Sequence, residues 1–263
     1  MTITDDAKPG LFQSARHNEI YMMTLRHGSV DASDLARHFD VTPETIRRDL
    51  SELQDRKLLR RVHGGAVALD RHRHEPLLDN RTEKNAAEKL RMAQRAIHYL
   101  PEAGTVLLDS GSTVQHIAEL FPTDSAVQVL TNSLTTAMTL ARRGVVNLTV
   151  IGGNVRSSTF AMVDASVVDT IRSIRVDTLF ISCDGLSLER GLTTPYRDEA
   201  AVKRAMVESA RWVVAVLDHS KIGSEQTYGY LPLDNMDALV TDDRVDDATA
   251  ERLAGHGIEV SRV

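Results

Sequence analysis

The chain has 263 residues, of which 42% are hydrophobic and 26% charged, and its formal net charge is −6. This length suits about two domains with buried cores, and the negative net charge argues against a protein that coats nucleic acid indiscriminately. No apolar run approaches the roughly 20 residues that span a bilayer, and the N-terminal MTITDDAKPG lacks the features of a secretory signal. The single cysteine, Cys183, cannot form an internal disulfide, so we expect a cytoplasmic protein.

Short helices are predicted at the start of the chain. The first runs from about Gln13 to His27, and Gly28 ends it. The second begins near Asp31, a suitable N-cap, and three of its apolar residues face inward: Leu35, Ala36 and Phe39.

The third predicted helix lies in the sequence VTPETIRRDL. Thr42 can cap its N-terminus, and Pro43 suits the first helical position, where its missing N–H costs nothing. Glu44 complements the helix dipole at this end. The buried stripe is predicted at positions i, i+4 and i+7, which are Ile46, Leu50 and Leu53.

The opposite side of this helix has the composition of a DNA-recognition helix. Glu44, Thr45 and Arg48 project away from the predicted core, and Arg47 lies on the flank. Thr and Arg side chains on the first turns of a helix suit contacts with base edges and phosphates in the major groove. The alternative is an ordinary surface helix with a Glu44–Arg48 pair at i, i+4.

The next segment, LLRRVHGGAVAL, predicts a β-hairpin whose turn contains His63, Gly64 and Gly65. A recognition helix followed by a basic hairpin is typical of a winged helix-turn-helix, in which the wing binds the phosphate backbone. The sequence therefore predicts double-stranded operator DNA as a partner, contacted by eight residues: Thr42, Glu44, Thr45, Arg47, Arg48, Arg60, Arg61 and His63.

Residues 16–67, above all TPETIRRDL and RRVHGGAV, resemble the DeoR-type family of bacterial transcriptional regulators. The resemblance implies the same winged module in this chain. One departure is Lys57, which stands where the family usually has glycine after the recognition helix. A left-handed residue there costs about 1 kcal/mol relative to glycine, which affects the helix end and leaves the module intact.

A polar segment, DRHRHEPLLDN, separates two predicted domains. We expect a winged helix-turn-helix at residues 12–69, a linker at 70–81 and a second domain at 82–263, which opens with a helix from about Thr82 to Tyr99. His72 and His74 form an H-x-H pattern that could ligate a metal, but no further ligand stands at suitable spacing. A solvated basic linker is therefore favoured, and no metal site is expected.

From Thr105 onward, short β-branched runs alternate with helical ones, for example TVLLD before TVQHIAELF. Continuous apolar strands separated by helices predict an α/β fold, a doubly wound and mostly parallel sheet covered on both faces. In such sheets ligands bind at the carboxyl ends of the strands, and polar residues follow several of these predicted strands.

The loop at 109–113, DSGST, suits a phosphate group. Gly111 allows close backbone approach, the Ser and Thr hydroxyls donate, and a helix N-terminus with free N–H groups follows immediately. The loop is neither a Walker A sequence nor G-x-G-x-x-G, so no nucleotide cofactor is expected. The alternative is an ordinary strand-to-helix turn with Ser/Thr caps.

Charged residues elsewhere in this half could complete a site for a phosphorylated, hydroxyl-rich ligand, because cations pair with phosphate and carboxylates accept from hydroxyls. The alternatives are a surface ion pair between Glu199 and Lys203, four residues apart, and a solvated loop lysine at Lys221. The candidate effector contacts are Asp109, Ser110, Gly111, Ser112, Thr113, Thr131, Asn132, Gly152, Gly153, Asp184, Glu199, Lys203 and Lys221.

The second half also resembles the DeoR-type family, in DSGST, LTN, IGG, CDG, GLTTPYRDEAAVKRAM and LDHSKIG. The family's sensor domain is similar in fold to ribose-5-phosphate isomerases. The resemblance implies that the loop from Ser110 to Thr113 holds phosphate, and that Asp184, Glu199 and Lys203 face the sugar. Asp164 and Cys183 depart from the family's usual residues and could tune which ligand fits.

The sequence thus favours a ligand-gated transcriptional regulator, a repressor of sugar uptake or catabolism genes that binds DNA as a homodimer or homotetramer. The main alternative is a sugar-phosphate isomerase or hydrolase with a DNA-binding appendage. In that enzyme Glu199 would be the general base and Lys203 or Lys221 the electrophile. A third alternative, an architectural DNA-binding protein without a ligand, leaves the polar residues after the strands unexplained.

Overall fold

A computed structural model describes residues 13–56, 58–62, 64–68 and 78–263. The chain divides into two compact units, Met1–Asn80 and Arg81–Val263. Four residues on which predictions were made, Lys57, His63, His72 and His74, lie outside the described residues, as does most of the predicted linker. The predicted domain boundaries therefore stay a prediction.

The described part of the first unit contains three helices and a small antiparallel sheet. Its elements are α1 (Gln13–His27), β1 (Ser29–Asp31), α2 (Ala32–Phe39), α3 (Pro43–Asp55), β2 (Leu59–Val62) and β3 (Gly65–Ala68). The strands pair in the order β1–β3–β2, and β2 with β3 forms the wing. The three predicted helices and the predicted hairpin are confirmed.

Local sequence determines where α2 and α3 begin. The Asp31 carboxylate accepts hydrogen bonds from the backbone N–H groups of Ser33 and Asp34, at 2.8 and 3.2 Å. The Thr42 hydroxyl accepts one from the N–H of Thr45 at 3.2 Å. The predicted inward-facing residues then pack into one buried cluster, which includes Leu35, Phe39, Ile46, Leu50 and Leu53.

The position of the wing depends on two glycines. Gly64 has a φ of 84°, in the left-handed region that glycine adopts without strain. Gly65 lies directly against β1, and a Cβ atom there would come within 2.0 Å of the Val30 carbonyl oxygen. A larger residue at position 65 would push β3 away from β1, so this glycine pair fixes the hairpin.

The second unit is built on a seven-stranded sheet in which every neighbouring pair is parallel. Its strands are β4 (Ala103–Leu108), β5 (Ala126–Thr131), β6 (Leu148–Val150), β7 (Val176–Ile181), β10 (Ala210–Val216), β12 (Ala238–Thr241) and β13 (Glu259–Arg262). They lie in the order β13–β12–β10–β7–β4–β5–β6. A small antiparallel sheet, which the sequence did not predict, contains β8 (Gly185–Ser187), β9 (Gly191–Thr194) and β11 (Tyr228–Leu231).

Helices cover both faces of the parallel sheet, as predicted. The remaining helices are α4 (Leu78–Glu83), α5 (Ala86–Ala96), α6 (Ser112–Leu120), α7 (Leu134–Arg143), α8 (Ala165–Arg172), α9 (Arg197–Ser209) and α10 (Asp247–Ala254). One core cluster joins α5, α6 and α7 to alternate strand residues such as Val106, and the other joins α8, α9 and α10 to residues such as Leu107. None of the helices within the described residues has both the length and the apolarity needed to cross a lipid bilayer.

The single helix predicted from Thr82 to Tyr99 is wrong. The chain breaks between α4 and α5 at Asn85, which has a left-handed φ of 54°, and residues Ile97–Tyr99 form a 3₁₀ turn. Asparagine tolerates this conformation better than most residues, so an Asn inside an otherwise helical pattern was the available signal.

Candidate functional site

The outer face of α3 is exposed, as the recognition-helix interpretation requires. The Arg47 and Arg48 side chains are 61% and 81% exposed, and Glu44 is 79% exposed. Glu44 pairs with Arg47 at 2.9 Å, and Arg48 pairs with Glu52 at 3.6 Å, so the alternative Glu44–Arg48 pair is replaced by two others. Exposed pairs of this kind are weak, so both arginines can exchange their partners for an anionic polymer at little cost.

A buried carboxylate, which the sequence interpretation missed, holds α3 against α1. Asp49 is 1% exposed, and Arg16 Nε and His17 Nε2 lie 2.6 and 2.9 Å from its two oxygens. The hydrogen bond to Asp49 raises the pKa of the Arg16 guanidinium. Asp49 stands beside Leu50, on the buried side of the helix, and a carboxylate there was the signal of an interior ion pair.

Arg61 attaches the wing to α3. The Arg61 backbone N–H donates to Gln54 Oε1 at 2.9 Å, and its guanidinium donates to the Ser51 hydroxyl at 2.6 Å. Arg60, the preceding residue, is exposed. Arg61 therefore positions the wing in addition to carrying charge, and the predicted DNA contacts remain a prediction.

In the second unit, the carboxyl ends of β4 and β7 meet at a buried lysine. Lys203 Nζ contacts the Asp109 carboxylate, donates to the Ser182 carbonyl at 2.9 Å and lies 3.5 Å from Glu199 Oε1. Burial alone would lower the pKa of Lys203, but the carboxylates of Asp109 and Glu199 outweigh it and raise the pKa. Lys203 is therefore a fixed cation that organises three segments distant in sequence.

Glu199 links this lysine to a loop arginine that the sequence interpretation missed. Arg156 Nη1 lies 2.5 Å from Glu199 Oε2, and the Arg156 guanidinium stacks 3.9 Å from the ring centroid of Tyr196. The Glu199 carboxylate is thus shared between two cations, Arg156 and Lys203.

Asp184 lies after β7 and is bound from two sides. Arg81 Nη2 is 3.1 Å from one oxygen, and the Thr194 hydroxyl donates to the other at 2.9 Å. Burial would raise the pKa of Asp184, but the positive charges of Arg81, Lys221 and Lys203 outweigh it and hold the pKa below its usual value.

A narrow cavity of about 30 Å³ lies at the N-terminus of α6, where backbone N–H groups face an anion most favourably. Gly111 directly precedes this helix and has a φ of 114°, a value that suits glycine. Four of the lining residues are cations, Arg81, Lys84, Lys89 and Lys221. The other lining residues are Ser112, Thr113, Ser182, Asp218 and Ser220.

Three of these cations, Arg81, Lys84 and Lys89, were missed because they precede the first strand of the sheet. Lys89 is 4% exposed, and its amine donates to the backbone carbonyls of Arg81 and, at 2.7 Å, of Lys84. Burial lowers the pKa of Lys89 to about 8. The break at Asn85 turns the chain so that the lysine of α5 caps the carbonyl end of α4.

The remaining predicted effector contacts differ in burial and in the residues that they contact. Ser110 is buried, and its hydroxyl lies 3.5 Å from Asp109 Oδ1. Thr131 and Asn132 are buried and hold neighbouring loops, since the Thr131 hydroxyl accepts from the Ser133 N–H and the Asn132 amide donates to the Met162 carbonyl. Gly152 is exposed, whereas a Cβ at Gly153 would come within 2.3 Å of Val167. None of these lines the cavity at α6, and their role as effector contacts stays a prediction.

Asp164 and Cys183 have structural roles that the sequence did not reveal. The Asp164 carboxylate caps α8, accepting from the Ser166 hydroxyl at 2.6 Å, the Val167 N–H at 3.0 Å and the Asn154 N–H at 2.7 Å. The hydroxyl of Ser166 and these N–H groups lower the pKa of Asp164 to about 2. Cys183 is buried in the core, and burial raises the pKa of its thiol to about 12.

One cluster of possible metal ligands occurs among the described residues, formed by Asp218, His219 and Asp242. The Asp242 carboxylate accepts from the ring and backbone N–H groups of His219, and Asp218 accepts from Asn85 and Ser220. Because both carboxylates already serve as hydrogen-bond acceptors for the loop after β10, they fit a structural role.

The two units together define a class of protein: a DNA-binding transcriptional regulator with a separate sensor domain. The family model for the DeoR-like helix-turn-helix domain matches residues 16–72, and the model for the DeoR C terminal sensor domain matches residues 84–243. The chain belongs to the DeoR family. The predicted family and fold class are confirmed.

Two similar proteins are named as transcriptional regulators. The chain is 36% identical to the HTH-type transcriptional regulator GlpR of Haloferax volcanii over 86% of this chain and 88% of that protein. It is 30% identical to the glycerol-3-phosphate regulon repressor of Escherichia coli over 94% of this chain and 98% of that protein. A solved ribose 5-phosphate isomerase A from Methanocaldococcus jannaschii aligns with 52% of this chain and 55% of that chain, at 17% identity and a TM-score of 0.39, a similarity too low to inform function.

Proposed function

We propose that this regulator represses genes of sugar uptake or catabolism and that a phosphorylated sugar controls its binding to DNA. The observation that carries the proposal is the cavity at the N-terminus of α6, where four cations converge with the hydroxyls of Ser112 and Thr113. The Escherichia coli relative is named for a phosphorylated three-carbon polyol, which fits a ligand of this class.

The charges around the cavity favour a phosphate group at this end of the proposed site. A phosphate monoester carries about −1.5 to −2 charges at neutral pH and offers strong acceptor oxygens. Lys221, Lys84, Lys89 and Arg81 supply positive charge around the α6 N-terminus, and the dipole of that helix adds to it. In this proposal the loop at 109–113 binds the phosphate through Ser112 and Thr113.

The sugar end of the proposed site has two carboxylates, Asp184 and Glu199, each beside cations. Asp184 and Glu199 accept hydrogen bonds from sugar hydroxyls in this proposal, while Lys203 and Asp109 hold the surrounding segments in place. Carboxylates held in fixed positions bind hydroxyls without a large ordering cost, and this preorganisation supports selective binding.

At the DNA, α3 enters the major groove and the wing follows the phosphate backbone. In this proposal the exposed residues of α3 contact bases, and Arg60 and Arg61 of the wing contact phosphates. A homodimer or homotetramer presents two such helices to paired half-sites, and effector binding changes the spacing or orientation of the pair. The proposal places the protein in the cytoplasm, with its operator, and requires no cofactor.

The geometry favours a sensor over an isomerase or hydrolase. A general base needs a carboxylate free to accept a proton, with a pKa near the working pH. Glu199 is instead shared between Arg156 and Lys203, and the pKa of Lys203 is raised. Incubation of the pure protein with ribose 5-phosphate or fructose phosphates, followed by NMR, should show binding without turnover.

The proposal is tested with a panel of sugar phosphates and the same sugars without phosphate. At least one phosphorylated member should raise the melting temperature and change the mobility shift of the regulated upstream DNA. Lys221→Met should lose this response, whereas Arg142→Met, which removes an exposed cation from the end of α7, should keep it. A panel without any effect on melting or DNA binding would contradict the proposal.

A further inference from the structure

An ion pair joins the two ends of the proposed effector site. Arg81 Nη2 lies 3.1 Å from Asp184 Oδ1, and each of the two side chains is only 16% exposed. Asp184 is fixed from the other side by the Thr194 hydroxyl at 2.9 Å. A cation proposed for the phosphate and a carboxylate proposed for the sugar hydroxyls are therefore bound to each other.

Arg81 belongs to α4, and the chain on the N-terminal side of this helix belongs to the first unit. The first unit ends at Asn80 and the second begins at Arg81, so α4 (Leu78–Glu83) spans the division between them. Its last carbonyl groups are held by Lys89, and the following Asn85 donates to Asp218 at 2.9 Å. A change in the contacts of Arg81 therefore acts directly on α4.

The cavity beside the ion pair has a volume of about 30 Å³, which is room for about one or two water molecules. A sugar phosphate is larger, so it either extends beyond this cavity or moves a lining side chain. Arg81 is the lining residue whose ion-pair partner, Asp184, the ligand also needs.

We propose that the Arg81–Asp184 ion pair is a latch which the effector opens, the phosphate taking Arg81 and the sugar hydroxyls taking Asp184, so that α4 is released. This inference rests on the proposed function, because it describes how the same site is regulated. It adds a route from the ligand to the segment that leads towards the DNA-binding unit in the chain.

The latch also explains why both parts of the ligand are needed. Opening the pair takes one partner from each of two largely buried charges, which is costly. Inorganic phosphate supplies a new partner only to Arg81, and an unphosphorylated sugar supplies one only to Asp184. A sugar phosphate supplies both, so the latch favours the whole ligand over either fragment.

The test measures backbone amide exchange of α4 by mass spectrometry in the full-length protein without any ligand. Asp184→Asn removes the carboxylate charge at nearly constant size, and Arg81→Gln removes the cation. Each variant should speed exchange in α4 about fivefold or more, the lower end of typical coupling between sites. The double variant should match the single ones, because the pair is already broken.

The control is Asp243→Asn, which removes a carboxylate from the exposed pair with Arg91 at 3.4 Å and should leave exchange in α4 unchanged. Unchanged exchange in the single variants overturns the latch, as does equal acceleration in the control or an additive double variant. If Asp184→Asn fails to fold, the same exchange measurement is made on Arg81→Gln, because Arg81 lies in α4 and outside the sheet. Because no ligand is present, the result is independent of the panel of sugar phosphates that tests the proposed function.

Discussion

Charged residues on the outer face of α3 and those of the buried network around Lys203 are arranged in opposite ways. On α3 of the first unit, the Arg47 and Arg48 side chains are 61% and 81% exposed, and their ion pairs are local. In the second unit, Lys203 and Asp109 are 3% and 1% exposed and bind each other. Exposed pairs contribute little to stability, whereas each partner of a buried pair depends on the other. The comparison predicts that charge substitutions on the outer face of α3 affect DNA binding alone, whereas substitutions in the buried network of the second unit affect both folding and ligand binding.

The largest effect is expected for Lys203→Met, which leaves Asp109 buried without its main cation. Removing one partner of a buried pair typically costs about 3–5 kcal/mol in free energy of unfolding. Urea unfolding followed by the fluorescence of Trp212, the single tryptophan of the chain, reports on the second unit. Adding Asp109→Asn should recover part of the loss. A cost below about 1 kcal/mol would show that the pair is not essential.

Two arginines of the first unit should differ in how they affect DNA binding. Arg48→Ala should weaken binding to the operator by about 1–3 kcal/mol and relax the preference at one base pair. Arg60→Ala should weaken binding evenly across sequences and lower the salt slope by about 1. Fluorescence anisotropy with matched operator variants at several salt concentrations measures both. Equal loss of specificity in the two variants would refute the division between helix and wing.

A smaller effect is expected from pH at the cavity of the second unit. Burial lowers the pKa of Lys89 to about 8, so the amine loses its proton in the folded protein before an exposed lysine would. The charged form binds phosphate, so affinity for the phosphorylated effector should fall roughly tenfold as pH rises through this value. The ligand phosphate, with a pKa of about 6, does not change charge there. Calorimetric titration of Lys89→Met should show weaker binding without this dependence; an unchanged profile would assign it to another group.

The smallest effect is expected for Glu44→Ala, which removes the exposed partner of Arg47. The free energy of unfolding should change by less than about 0.5 kcal/mol, because exposed pairs at this spacing are weak. Thermal melting of the wild type and the variant checks this. A larger loss would mean that the surface of α3 resembles the buried network more than its exposure indicates.

Much of the fold was predictable because its signals are local. Thr42 and Pro43 mark the start of α3, Gly64 and Gly65 mark the wing turn, and the alternation of apolar strands with helices predicts a parallel sheet. The helix break at Asn85 and the small antiparallel sheet were missed. The break has a local signal in Asn85 itself, but the contact of Asn85 with Asp218 and the pairing of the small sheet depend on long-range partners, which no local pattern contains.

The candidate site was predictable only in part, for the same reason. The loop at 109–113, Asp184 and Lys221 could be found because they follow predicted strands, and Glu199 and Lys203 because they lie on a helix in a segment that resembles the family. Arg81, Lys84, Lys89 and Arg156 stand before the sheet or within an irregular loop, where a cation has no distinguishing pattern.

By itself, the sequence determined the elements of the first unit and their buried residues, the alternation of strands and helices in the second unit, and the family to which the chain belongs. Periodicity, caps and turn glycines act over a few residues, so they are present in the sequence in full. Only the tertiary structure decided which charges meet: Lys203 with Asp109, Glu199 with Arg156, and Arg81 with Asp184. These pairs join residues 43 to 103 positions apart, and the energy of each depends on burial and distance that only the folded chain supplies.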